Sequence, residues 1–321
     1  MTESARKTVC ILVPAYNEEP VLPALYERLA GVSEVCTPQG PYDFTFLFID
    51  DGSSDRTLDL IKEIGARDPR VAWVSLSRNF GKEAAMIAGL DHADADATII
   101  IDADLQDPPE LIAQMLVAWE EGYEDVYARR RTRAGESWFK KMTSHVYYAL
   151  LQHTTRVKLQ IDTGDFRLLD RRCVEALRLF REHERYTKGM FSLIGFKKKE
   201  ILYDRDPRLA GQTHWNYGGL FDLAIDGLTS FTTAPLRIAT ILGAVVALAA
   251  FIHLVVIAVL AIFFGHTIDE LIAATATIIM IGGVQLLAIG IIGEYVARIF
   301  TETKNRPLYL VEESRLPERT A

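Results

Sequence analysis

Cysteine is scarce in this chain: three in 321 residues, Cys10, Cys36 and Cys173, far apart and without a CxxC pair. That number and spacing exclude a disulfide framework and fit a reducing compartment. No signal peptide is expected either. The first apolar stretch, residues 9–13, stops at Pro14 and runs into Tyr16, Asn17, Glu18 and Glu19. It is too short for a signal peptide and predicts a first β-strand, in a domain expected to stay in the cytosol. No GxGxxG and no Walker motif occurs, which argues against dinucleotide oxidoreductases and P-loop ATPases. Positive charge is sparse at the start: residues 1–128 hold 9 Lys and Arg against 24 Asp and Glu, whereas residues 129–235 hold 20 against 12. With a formal net charge of −8, the chain is not expected to bind nucleic acid. Its basic middle suits anionic headgroups or phosphorylated substrates, and a solvated charged face is the plainer alternative.

What is present in the first half is a rhythm. The short runs VCILV (9–13), FTFLFI (44–49), VAWVSL (71–76) and ATIII (97–101) alternate with helical patterns around 20–31, 55–66, 82–92 and 108–121. Runs of four to six β-branched or aromatic residues bounded by turn residues predict strands, and their alternation with helices predicts an α/β fold with a mostly parallel sheet. Ligands of such sheets bind at the carboxyl ends of the strands. Those ends are residues 14–19, 50–55, 77–82 and 102–107, and three of the four are rich in carboxylates.

Two apolar runs fill the C-terminal third, residues 238–264 and 271–292, each longer than the roughly 20 residues that cross hydrocarbon. The connection at 265–270 has no Lys or Arg, while Arg237, Arg298, Lys304 and Arg306 flank the outer ends. This asymmetry predicts a hairpin whose two ends face the cytoplasm. A pair of buried core helices is the alternative. Gly282, Gly283, Gly290 and Gly293 suit close helix packing, and His253 and Gln285 suit hydrogen bonds between helices. The stretches 137–151 and 215–232 mix aromatic and charged residues at helical spacing, which fits helices in the membrane interface or amphipathic helices packed on the sheet. The expected layout is therefore a domain over 1–235, a transmembrane hairpin over 236–297 and a cytoplasmic tail over 298–321.

Asp102 and Asp104 stand one residue apart where an apolar strand ends, so both can converge on one hard cation such as Mg²⁺ or Mn²⁺. Asp107, ahead of Pro108 and Pro109, suits a helix N-cap. After the second strand, the run 50–55 (DDGSSD) offers a carboxylate to a base or ribose, with Ser54 or Asp55 suited to start the next helix.

The ordered set VPAYNEE (13–19), DDGSSD (50–55), SRNFGKEAA (77–85), DADLQDPPE (102–110) and TGDFRLLDR (163–171) resembles family-two glycosyltransferases of the GT-A fold. The segments RYTKGMFSLIGF (185–196), AGQTHWNY (210–217) and GEYVARIFTETKNRPLY (293–309) resemble, within that family, polyprenyl-phosphate glycosyltransferases of the bactoprenol glucosyltransferase and dolichol-phosphate mannosyltransferase type. The resemblance implies transfer of one sugar from a UDP-sugar or GDP-sugar to a polyprenyl phosphate such as undecaprenyl phosphate, beside membrane lipid, in a homo-oligomer served by a separate flippase. It implies that Pro14, Tyr16, Glu18, Asp51, Lys82 and Asp102 line the nucleotide sugar, and that Asp102, Asp104 and Gln106 hold Mg²⁺ or Mn²⁺. It places Asp165 at the reacting centre, and Arg129, Arg131, Arg133, Arg167, Arg208 and His214 around phosphates. His214 stands where the family usually has Lys, so Arg208 is expected to carry more of that anion's charge. No QxxRW segment follows, which argues against a processive synthase.

Overall fold

The computed structural model describes residues 6–36, 42–131, 163–182, 187–204, 234–264 and 270–316. The chain divides into two units, one holding the sheet together with residues from 307 onward, the other holding residues 218–306. The stretches 137–151 and 215–232, and with them Arg133, Arg208 and His214, lie outside the described residues.

The four strands expected from the sequence form, each followed by its helix. They are β1 (Lys7–Ala15), β2 (Tyr42–Asp50), β3 (Val71–Leu76) and β4 (Ala97–Ile100). Their helices are α1 (Leu22–Cys36), α2 (Thr57–Arg67), α3 (Lys82–His92) and α4 (Leu111–Glu120). β1 pairs in parallel with both β2 and β4, and β2 with β3. Alternate residues of β1 feed two cores, as the two-residue period of a strand requires. Val9, Ile11 and Val13 pack toward α1, α2 and α4, whereas Cys10 and Leu12 pack toward α3. The second contact is tight: a Cβ on Gly89 would sit 2.1 Å from Leu12 Cδ1, so α3 lies against β1 through a bare backbone.

Four further strands widen the sheet. β5 (Asp125–Arg130), β6 (Thr163–Asp170) and β7 (Lys198–Tyr203) extend it beyond β4, while β8 (Val311–Arg315) closes the other side. The order is β7-β5-β6-β4-β1-β2-β3-β8, with β6 antiparallel to both β4 and β5. The helices α5 (Arg171–Arg178) and α6 (Thr187–Leu193) add Cys173, Val174, Leu177, Met190 and Phe191 to the core on the α3 face. Successive strands run one way from β1 to β3 and then jump back to β4, so a topological switch point falls between β1 and β4. Such a point leaves a crevice at the strand ends.

β8 runs antiparallel to β3 with Val74 opposite Ser314. Lys62 of α2 pairs with Glu313, Arg315 Nη1 donates to the Gly65 carbonyl at 2.6 Å, and Tyr309 donates to Asp91 at 2.8 Å. Residues 311–315 thus belong to the sheet, where the sequence predicted only a tail.

The second unit is two long helices, α7 (Ala234–Phe264) and α8 (Glu270–Thr303). They cover both apolar runs. Among the described residues, Met280–Thr303 is long and apolar enough to cross a membrane. Large apolar side chains stand exposed along both helices, with Ile262 at 76% and Leu286 at 72%.

Candidate active site

The crevice is built from loops that tie each other down. Asn17, at φ 54°, donates its backbone N–H to Ser53 Oγ at 3.0 Å, and its side-chain oxygen accepts from Ser54 N at 2.8 Å. Asp51 is buried and accepts the backbone N–H groups of Phe80 (2.8 Å) and Gly81 (2.9 Å). Burial raises its pKa, and those two N–H groups oppose the rise. The approach of these loops requires glycine at position 52. At φ +64° a Cβ there would stand 2.4 Å from the Arg78 carbonyl carbon. Asp51 thus fixes the entry to α3, while Tyr16, 45% exposed, is the open aromatic at the end of β1. Pro14 stays within β1, opposite Ile49, and Glu18 receives the N–H groups of Val21 and Leu22 on its carbonyl. Asp55 accepts from Thr57 N at 3.0 Å, the capping turn the sequence suggested.

The loop at 102–107 follows β4 and turns through Leu105, buried at φ 56°. Gln106 N donates to Asp104 Oδ1 at 3.1 Å, and Gln106 Oε1 is buried without a hydrogen-bond partner. Asp107 departs from the N-cap expectation. α4 begins four residues later, and the buried Asp107 carboxylate accepts from Tyr203 of β7. Arg130 Nε reaches the same Tyr203 hydroxyl at 3.4 Å. Burial works against the Arg130 charge, but Tyr203, Asp107 and Asp102 more than offset it and raise its pKa.

At the centre, Lys82 begins α3 and its Nζ lies 2.7 Å from Asp102 Oδ1 and 2.5 Å from Asp165 Oδ2. Burial raises the Asp102 pKa against the pull of this ammonium, and the Asp165 charge raises it further. The same two carboxylates outweigh burial at Lys82 and raise its pKa. The structure therefore brings together Lys82, Asp102 and Asp165, which are 83 positions apart at the extreme.

The basic residues are sorted by strand parity. Arg129 pairs with Glu200 at 3.0 Å and Arg131 with Asp204 at 3.6 Å, both partly exposed. Arg130, between them, turns to the Asp107 side. Sequence reading missed it because it took the outer members of the run; Val126 and Ala128, buried at period two, are the signal that marks position 130 as the inward one. Arg167 corrects the sequence expectation outright. It is 0% exposed, lies 3.3 Å from both Asp125 oxygens, and stacks 3.6 Å over the Phe191 ring. A guanidinium with no open surface cannot meet a lipid phosphate; its place is to fix β6 against β5, two residues from Asp165.

No group of three His, Cys, Asp or Glu side chains poised for a metal occurs among the described residues. The oxygen set Asp102, Asp104 and Gln106 nonetheless fits a hard cation that takes one or two carboxylates and completes its shell with substrate oxygens and water. The unpartnered Gln106 oxygen is the observation that favours it.

The description "Glycosyl transferase family 2" matches residues 10–178. An uncharacterized glycosyltransferase of Synechocystis sp., sll0501, is 42% identical over 94% of this chain and 94% of its own. A prophage bactoprenol glucosyl transferase homolog of Escherichia coli is 39% identical over 95% and 98%. The bactoprenol glucosyl transferase of Shigella phage SfII is 38% identical over 95% and 98%. Among solved structures, mannosyl-3-phosphoglycerate synthase from Rubrobacter xylanophilus aligns at a TM-score of 0.47 and 16% identity over 68% and 71%, a likeness too loose to carry any argument. The parallel-rich α/β sheet and the relatives that match end to end place the chain in one family: it belongs to glycosyl transferase family 2.

Proposed function

We propose that the chain transfers a single sugar, with inversion, from UDP-glucose to a polyprenyl phosphate such as undecaprenyl phosphate at the cytoplasmic face of a membrane, for cell-envelope glycan modification. The observation that carries this reading is the crevice: an oxygen-rich loop at 102–107, the Asp165 carboxylate and one ammonium converge at a switch point. The bactoprenol glucosyl transferases that match over the chain's length favour the lipid acceptor.

In this reading Tyr16, Glu18 and Asp51 border the nucleotide, and Asp102, Asp104 and Gln106 hold Mg²⁺ or Mn²⁺. That cation, when bound, offsets the negative charge developing on the departing diphosphate. Lys82 supplies an ammonium beside the same charge. Arg129, Arg130, Arg131, Arg133, Arg208 and His214 form the basic region for the acceptor. The acceptor is a phosphate monoester with a second pKa of about 6, so it arrives mostly dianionic and requires no strong base. Asp165 then orients the reactants.

Chain connectivity supports a two-span topology. The chain leaves the sheet unit before α7 and re-enters the same sheet as β8, so it crosses any bilayer an even number of times. If Met280–Thr303 crosses, α7 crosses back. Both ends of the hairpin then share the compartment of the active site, and the basic flanks make that the cytoplasm. Two helices form no export channel, which leaves the product to a separate flippase.

Two experiments test these readings. Membranes containing the protein, given radiolabelled UDP-glucose and undecaprenyl phosphate, should yield a labelled lipid that does not form from GDP-mannose. Labelling from GDP-mannose alone would replace the donor, and none from either would remove the function. For topology, a cysteine introduced within 265–270 should react with an impermeant maleimide from outside intact cells, and one at Arg306 should not. The reverse pattern would overturn the orientation.

A further inference from the structure

β4 and β6 place two carboxylates face to face. Ile100 is opposite Arg167 in their antiparallel register; continued two residues past the end of β4, that register brings Asp102 to the level of Asp165, and Lys82 touches both. Like charges directly across a strand pair repel. Neither has much water to relieve it, since the two side chains are 22% and 12% exposed. Lys82, from a third element, holds both at salt-bridge distance. Its backbone is not free to wander, because Asp51 grips the N–H groups of the two residues before it.

Asp102 is also a proposed ligand of the divalent cation. A metal bound about 2.1 Å from Asp102 and an ammonium 2.7 Å from the same carboxylate would be separated by less than about 5 Å. Three positive charges at that spacing repel strongly in a crevice with little water. The two cations therefore compete for Asp102.

We propose that Lys82 is the resident cation of the metal-free site, joining Asp102 to Asp165 until a divalent metal enters, then keeping Asp165 while its ammonium turns from Asp102 to the donor's diphosphate. The proposal rests on the reading of Asp102, Asp104 and Gln106 as metal ligands. It makes metal and nucleotide binding interdependent: metal alone must evict the ammonium, whereas metal arriving with a diphosphate gives that ammonium a new anion. The reciprocal must hold, with metal tightening nucleotide by the same factor.

The test is Mn²⁺ binding to the full-length protein in detergent, read from the paramagnetic resonance of free Mn²⁺, with and without UDP. Lys82→Gln should bind Mn²⁺ about tenfold more tightly than wild type without UDP. The gain in Mn²⁺ affinity on adding UDP should fall from at least about tenfold in wild type to less than about threefold. Equal or weaker Mn²⁺ binding by Lys82→Gln without UDP overturns the proposal while leaving the metal reading intact. No Mn²⁺ binding to wild type even with UDP overturns both. Because Lys82→Gln leaves two facing carboxylates unneutralised and risks misfolding, the comparison is repeated in an Asp165→Asn background. There Lys82→Gln should again tighten Mn²⁺, and failure to do so overturns the proposal.

Discussion

Asp104→Asn is expected to lower sugar transfer by about three orders of magnitude while leaving the sheet unit folded. The size follows from the reaction. Loss of a cation that stabilises departing diphosphate costs roughly 4 kcal/mol at the transition state, and each 1.4 kcal/mol is tenfold in rate. The specificity follows from the loop. Asparagine keeps an oxygen to accept the Gln106 N–H, so the turn through Leu105 survives and only the charge goes. The thermal midpoint of the purified variant should stay within a few degrees of wild type. EDTA should inactivate the wild type to the same degree, and Mg²⁺ or Mn²⁺ should restore it. Undiminished transfer in chelator would end the metal assignment.

Asp165→Asn is expected to be defective by about two orders of magnitude at every pH from about 6 to 9. A carboxylate that served as base would be partly replaced by hydroxide, and the variant's rate would climb tenfold per pH unit. An acceptor phosphate with a pKa near 6 is already dianionic over most of that range, so raising pH supplies little more nucleophile. What the variant loses is the hold on Lys82, whose Nζ sits 2.5 Å from Asp165 Oδ2, together with the field at the reacting centre. Initial rates at saturating donor, plotted against pH for both proteins, decide it. A variant converging on wild type at high pH would identify Asp165 as the base.

The legible part of the fold was the part whose energetics are local and apolar. β1 to β4 are runs buried on both faces, and their helices carry an apolar stripe, so period and punctuation located all eight elements. β6 escaped notice although it is an interior strand. Its Asp165 and Arg167 break the apolar run, one for the site and one for the buried pair with Asp125. β8 reads VEESR and pairs only across more than 230 positions of chain, so no local signal announces it. In the site, single carboxylates were legible and partners were not. Asp102 and Asp165 stood out as residues, but Lys82 as their common counter-ion depends on the β4–β6 register and the start of α3. Asp107 was assigned to α4 by its prolines, whereas a tyrosine from β7 holds it. Arg167 was grouped with phosphate-binding arginines by the family resemblance of its segment, which says nothing of burial.

The pairing of β8 with β3 sets a timetable for folding. During synthesis β3 is complete at Leu76, but its partner strand does not exist until residue 311 has been made. At about 5–20 residues per second that wait is roughly 10–50 s. Throughout it, the stretch VAWVSL offers an apolar, proline-free edge with unpaired N–H and C=O groups, the form that recruits foreign strands. The nascent domain therefore passes that interval with the β3 edge open, until β8 closes it.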